Sequence, residues 1–170
     1  MTVLINYKKK PSSNKFANLI FFVDEKFNLQ HIKKFIPITD YLYVSDLLKT
    51  FDLKKKIIFF DVHSKRKIIL ISLKNKIISS DIEKIGANFF TSIKNLKQNE
   101  FQINTDHIPI KFNECVGYFL HGIKLKSYSF QKYKTKKNKK KITFSITGKN
   151  IPSLKDQNKF RAIEEGTFYT

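Results

Sequence analysis

The sequence has no tryptophan, one methionine, one cysteine, four prolines and five glycines in 170 residues. A single cysteine, Cys115, excludes an internal disulfide, which is the usual device of small secreted domains. No apolar run approaches the roughly 20 residues that a membrane-spanning helix requires. No apolar run follows a basic start, as it would in a secretory signal. These absences predict a soluble cytoplasmic protein with no membrane partner.

Arginine is also nearly absent, although the formal net charge is +19. Of the 33 basic residues, only Arg66 and Arg161 are arginines, so the excess is lysine. A basic chain ordinarily suggests nucleic acid or an anionic surface as its partner. Arginine, however, is the residue preferred for bidentate phosphate recognition. Because the lysines come with many isoleucines, asparagines and phenylalanines, A/T-biased codon usage would explain the charge without any selected partner.

Hydrophobic residues make up 41% of the chain, which is enough for one domain with a sizeable core. Two continuous apolar runs, 57–60 and 68–71, are typical of strands covered on both faces. The connection 62–66 is too short for a crossover helix, so these two strands should be antiparallel neighbours. The sequence therefore predicts an α/β fold, a three-layer mixed sheet flanked by helices.

Periodicity and turn residues predict the other elements. Further strands are expected at residues 2–7, 16–23, 101–103 and 141–146, the last at a sheet edge because its apolar residues alternate. A weak helix is expected within 24–36, and a short helix or covering segment at 40–51. Three further helices are predicted from their first residues: one after the capping box Ser80-Asp81-Ile82-Glu83, one opened by Asn113 and a last one capped by Ser153.

The residue types that often carry chemistry form no site in the sequence. The four histidines are scattered along the chain: His31, His63, His107 and His121. Cys115 and His121 lie six residues apart, on different faces of a predicted helix, whereas a zinc site needs ligands that converge. The tripeptide Asp61-Val62-His63 has no partner motif. These groups are therefore expected to be solvated polar residues, and no catalytic or metal-binding residue is predicted.

Glycine placement argues against a phosphate site. Segment 117–124 nearly spells a phosphate-binding loop, but its lysine comes one residue late, no Ser or Thr follows, and the segment has helical periodicity. The chain has no Gly-x-Gly pair, which disfavours a dinucleotide or ADP-ribose site. Gly117 and Gly122 are instead expected to let a helix pack closely against the sheet.

One patch could bind nucleic acid, because aromatic residues alternate there with lysines. It comprises Tyr128, Phe130, Lys132, Tyr133, Lys134, Lys136 and Lys137. Aromatic rings can stack on bases while lysines neutralise phosphates. Alternatively, the aromatic residues pack on the domain and the lysines form a solvated loop. The first interpretation would make the chain a free-standing basic module that binds nucleic acid, DNA included.

Two segments resemble the leucyl (cytosol) aminopeptidase family. Residues 122–137 combine an apolar helical stripe, a Tyr-x-Phe-x-x-Tyr-Lys signature and a lysine cluster, similar to the helix that closes the N-terminal domain of that family. Residues 160–170, Phe-Arg-Ala-Ile-Glu-Glu-Gly-Thr-Phe-Tyr-Thr, resemble its linker helix. The resemblance implies a non-catalytic, macro-domain-like N-terminal domain at residues 1–150, with 151–170 beginning the linker to a catalytic domain missing from this sequence.

The same resemblance implies the activity of the whole protein. It would remove N-terminal amino acids from peptides by hydrolysis at two divalent metal ions, zinc or manganese, which activate a water. Lys, Asp and Glu side chains of the missing C-terminal domain would bind these metals, and the protein would form a homohexamer. None of the catalytic or metal-binding positions of the family maps onto residues 1–170, so none is assigned here.

Overall fold

The computed structural model describes residues 2–8, 17–64, 66–109, 112, 114–128 and 140–169. Within them, six strands form one sheet: β1 (Thr2–Tyr7), β2 (Asn18–Asp24), β3 (Ile57–His63), β4 (Arg66–Leu73), β5 (Glu100–Asn104) and β6 (Lys141–Thr147). The same residues form four α-helices: α1 (Ile38–Leu48), α2 (Ser79–Ile93), α3 (Cys115–Ser127) and α4 (Leu154–Tyr169). Short 3-10 helices cover Gln30–Phe35 and Thr105–His107.

The strands lie side by side in the order β1-β6-β5-β2-β4-β3. All neighbours are parallel except β3 and β4, which form the predicted antiparallel pair. The prediction that β6 is an edge strand is wrong, because it pairs with β1 on one side and β5 on the other. Apolar and polar residues alternate along β6 because its two faces are covered unequally. Phe144 and Ile146 are fully buried on one face, while Thr143 and Ser145 are half-buried on the other.

Apolar layers cover both faces of the sheet, which confirms the three-layer α/β fold. On β2, Ile20 and Phe22 belong to one buried cluster, whereas Phe21 and Val23 belong to the other. The first cluster contains side chains of α2 and α3, and the second contains side chains of α1 and the first 3-10 helix. Residues 68–71 of β4 divide between the clusters in the same way. Strands buried on both faces carry continuous apolar runs for this reason.

Two predicted helix starts differ from the structure or lie outside it. Helix α2 begins at Ser79, and no side chain caps it, so the predicted capping box at residues 80–83 is wrong. Helix α3 begins at Cys115, and the predicted opening residue Asn113 lies outside the described residues.

The other predicted helices are present in modified form. Ser153 caps α4 as predicted, since its Oγ accepts a hydrogen bond from the Asp156 backbone N at 3.2 Å. The segment 24–36 contains a 3-10 helix, and the segment 40–51 contains most of α1. In the described parts of the chain, no helix combines the length and the apolar character needed to cross a bilayer.

Glycines bring helices α2 and α3 into close contact. A Cβ added at Gly86 would lie 2.1 Å from the carbonyl oxygen of Phe119, and one at Gly122 would lie 2.1 Å from that of Glu83. Gly117 faces the ring of Phe160 in α4. The prediction that Gly117 and Gly122 pack against the sheet is therefore wrong: the apolar stripe of α3 covers the sheet, and these glycines face neighbouring helices.

Candidate functional site

The two middle strands of the sheet separate at their carboxyl ends. The pairing of β2 with β5 runs only from Asn18 opposite Phe101 to Ile20 opposite Ile103. Beyond it, the chain leaves β2 towards α1 on one face and leaves β5 towards α3 on the other. In open α/β sheets, ligands bind in the crevice at such a topological switch point. We call the cavity found there the switch-point crevice.

His107 fills the gap between the separating strands. Its Nε2 accepts a hydrogen bond from the Phe22 backbone N at 2.9 Å, and its Nδ1 donates to the Asn104 carbonyl oxygen. The side chain is 3% exposed and packs edge-on against the ring of Phe21 at 5.0 Å. Burial lowers the pKa of His107 to about 4, with the nearby His31 acting in the same direction. The imidazole is therefore neutral, and both of its nitrogens are occupied.

The switch-point crevice has a volume of about 510 Å³. Its floor is mostly apolar and buried, formed by Phe22, Val23, Leu73, His107, Pro109 and Phe112. Its rim is polar, formed by Asp24, Glu25, Lys26, Asn28, His31 and Asn75. A cavity of this size that combines buried apolar side chains with converging polar groups is a candidate small-molecule site.

Hydrogen bonds engage both acidic residues of the polar rim. Asp24 Oδ1 accepts from the backbone N of Lys26 and of Asn28, each at 3.0 Å. Between them, Phe27 has a φ of 55°, a left-handed conformation that is strained for a bulky residue, and its ring is buried. On the opposite side, the Asn75 backbone N donates to Glu25 Oε1 at 3.4 Å. The carboxylate of Asp24 is thus fixed at the mouth of the cavity.

The histidines and Cys115 do not converge on one site. The prediction that they are solvated is correct for His31 and His63, which are exposed, and wrong for His107 and His121, which are buried. His121 Nδ1 lies 3.0 Å from Glu164 Oε1 of α4, whereas Cys115 belongs to the core against the sheet. Across the described ranges, no group of three or more His, Cys, Asp or Glu could hold a metal ion.

The tripeptide at residues 61–63 ends β3 and makes ion pairs. Asp61 pairs with Lys67, while His63 Nε2 lies 3.8 Å from Oδ1 of the buried Asp40. Arg66 lies 3.7 Å from the other carboxylate oxygen of Asp40. The two contacts of Asp40 link α1 to the β3–β4 hairpin, and the contact of Asp61 with Lys67 lies within that hairpin.

Most of the predicted nucleic-acid patch cannot be described. The residues Phe130, Lys132, Tyr133, Lys134, Lys136 and Lys137 lie outside the described ranges. The ring of Tyr128 stacks on Phe168 with 4.1 Å between the ring centroids, and its hydroxyl donates to the Phe168 carbonyl oxygen at 2.6 Å. One face of the Tyr128 ring is therefore engaged within the domain. Nucleic-acid binding by the patch stays a prediction.

Sequence reasoning missed the switch-point crevice. A local signal was present, because an apolar strand ends at Asp24-Glu25-Lys26, and an aspartate in that position commonly closes a turn on its own backbone. The partners contributed by Leu73, His107 and Phe112 come from distant parts of the chain and give no local signal.

Comparisons with known proteins support the fold. No protein-family model matches the chain, and no curated protein matches it by sequence. Among solved structures, a mutant of tomato leucine aminopeptidase is similar, with a TM-score of 0.69 and 12% sequence identity. The match covers 97% of this chain and 36% of the tomato chain. The chain thus spans about a third of the length of that protein, and at this identity the likeness concerns the fold alone.

Proposed function

We propose that this chain is the N-terminal, non-catalytic domain of a leucyl aminopeptidase, which removes N-terminal amino acids from peptides. The observation that carries the proposal is the fold match, which includes 97% of this chain but 36% of the tomato leucine aminopeptidase chain. A protein of that length would have room for a second domain. The sequence segments 122–137 and 160–170 resemble the same family and so support the proposal separately.

Helix α4 has the contacts that a rigid linker needs. The ring of Phe160 packs edge-on against Tyr118 at 5.2 Å, and Glu164 pairs with the buried His121. One turn further, Phe168 stacks on Tyr128. Residues 160, 164 and 168 lie on one face of the helix, which is therefore held along its length. In the proposed enzyme, α4 would lead towards the catalytic domain in a fixed direction.

The chemistry would belong to the second domain. The residues described here do not fit a two-metal centre, and no catalytic step is assigned to them. In the proposed enzyme, two zinc or manganese ions in the second domain would supply an activated water for attack on the first peptide bond. We further propose that the enzyme is a cytoplasmic homohexamer.

The proposal is tested on the protein encoded by the complete reading frame. That protein should release leucine from leucine p-nitroanilide in the presence of Mn²⁺ or Zn²⁺, lose this activity with EDTA, and regain it when the metal is restored. The 170-residue chain is the control and should release none under the same conditions. No metal-dependent release of leucine by the complete protein would refute the proposal.

A further inference from the structure

We propose that the switch-point crevice binds a free α-amino acid with an aliphatic side chain. Such a molecule has three parts: an ammonium group, a carboxylate and an apolar side chain. The crevice has a region suited to each, and the three regions are adjacent. This binding function is additional to the proposed role as a peptidase domain and does not depend on it.

The apolar floor suits the side chain of the ligand. Leu73 is 1% exposed and Phe22 is 4% exposed, so both are held in place by the core beneath them. Phe112 adds a third apolar wall. A cavity of about 510 Å³ is large enough for one amino acid and its remaining waters. Removing the aliphatic group from water at this floor would favour binding.

The two acidic residues of the rim suit the ammonium group. Asp24 already accepts two backbone N–H groups at one oxygen, and these bonds fix its carboxylate before any ligand arrives. A carboxylate has about four acceptor positions, so Asp24 can accept further donors. Glu25 adds a second negative charge on the same rim. Two carboxylates at one cavity contrast with the chain as a whole, whose net charge is +19.

The remaining rim residues suit the carboxylate of the ligand. Lys26 is exposed and lines the same cavity as the two acidic residues, so charges of both signs are present at its rim. The Asn28 amide and the His31 imidazole can donate to the same group. A phosphate ligand fits poorly, because none of the five glycines lines the cavity and the carboxylates would repel it.

Three probes separate the charged groups of the ligand: L-leucine, L-leucinamide, which lacks the carboxylate, and N-acetyl-L-leucine, which lacks the ammonium. Binding to the 170-residue chain is measured by calorimetry and by the backbone amide resonances of Lys26 and Asn28. We expect saturable binding of leucine and leucinamide that shifts these resonances, and none of N-acetyl-leucine.

Two variants test the assignment of the rim groups. Asp24→Asn keeps the oxygen that closes the turn but removes the charge, so it should weaken leucine and leucinamide binding about tenfold or more, equivalent to about 1.4 kcal/mol. Lys26→Gln should weaken leucine but leave leucinamide unchanged. Both substitutions are at exposed or turn positions and should leave the fold intact.

The chain contains a matched control outside the crevice. Asp52 Oδ1 accepts from the Lys54 backbone N at 3.0 Å, the same turn that Asp24 makes with Lys26. Asp52→Asn should therefore bind leucine as the unmodified chain does. The proposal is overturned if leucine shows no saturable binding up to about 10 mM. It is equally overturned if N-acetyl-leucine binds as well as leucine, or if Asp52→Asn weakens binding as much as Asp24→Asn.

Discussion

The buried imidazole of His107 should make the protein lose stability in mild acid. The side chain is neutral in the folded state because burial lowers its pKa from 6.5 to about 4. Asp106 and the hydrogen bond to Asn104 act in the opposite direction but do not overcome burial. Below pH 6.5 the unfolded chain takes up a proton at this position, while the folded chain does not until about pH 4.

The size and direction of the effect follow from this difference. Because the unfolded state binds more protons between pH 6.5 and pH 4, the free energy of unfolding falls as the pH falls through this window. Each pKa unit corresponds to 1.36 kcal/mol, so His107 alone should remove about 3 kcal/mol in total. Below pH 4 its contribution should stay constant.

Urea unfolding followed by far-ultraviolet circular dichroism at several pH values measures this loss, since the chain has no tryptophan to report by fluorescence. The comparison is with His107→Gln, which can still donate and accept hydrogen bonds but cannot ionise in this range. The difference in stability between the two proteins should shrink by about 3 kcal/mol from pH 7 to pH 4. A constant difference would refute the reasoning, as would an NMR titration of His107 in the folded protein with a midpoint near pH 6.5.

Two further predictions concern the contact between helices and the single thiol. Gly122→Ala should lower the free energy of unfolding by about 1–3 kcal/mol, because its Cβ would meet the Glu83 carbonyl oxygen at 2.1 Å. Gly166→Ala would place its Cβ more than 4 Å from every atom outside the neighbouring residues and backbone of α4. It should therefore stabilise α4 by about 0.5–1 kcal/mol in the same unfolding assay, and equal effects of the two changes would contradict this. Burial raises the pKa of Cys115 to about 12, so Ellman's reagent at pH 8 should label the thiol only in urea, and rapid labelling of the folded protein would contradict that.

The elements predicted best from the sequence are those whose pattern of apolar residues follows directly from the burial of their side chains. The runs 57–60 and 68–71 are continuous because helices cover both faces of the sheet, and their short connection forces an antiparallel pair. Ser153 was predictable because a helix cap needs one local side chain. The position of β6 in the sheet was not predictable from its sequence. The alternation of apolar and polar residues along a strand reports how far each of its faces is covered, and it does not report which strands lie beside it. A glycine in the sequence of α3 shows that no side chain is present at that position. It does not show whether a helix or the sheet packs against it.

The crevice depends on long-range order that a single sequence does not specify. His107 reaches Phe22 across 85 residues, and their contact exists only because β5 lies next to β2. That contact depends on the complete strand order, in which β5 lies next to β2 although two other strands separate them in the sequence. The local turn at Asp24 was readable from the sequence, but without strand order nothing indicated that a cavity opens beside it.

The pairing of β1 with β6 has a consequence for how this protein is made. Thr2 pairs with Lys141, so the first strand of this sheet along the chain has its partner almost at the other end of the domain. At about 5–20 residues per second, β1 would wait roughly 7–28 s for β6 to be synthesised. During that time β1 has no partner in the sheet, because among the described strands it pairs with β6 alone. Completion of the sheet is therefore a late event, and in a nascent chain shorter than about 147 residues β1 lacks the strand with which it pairs.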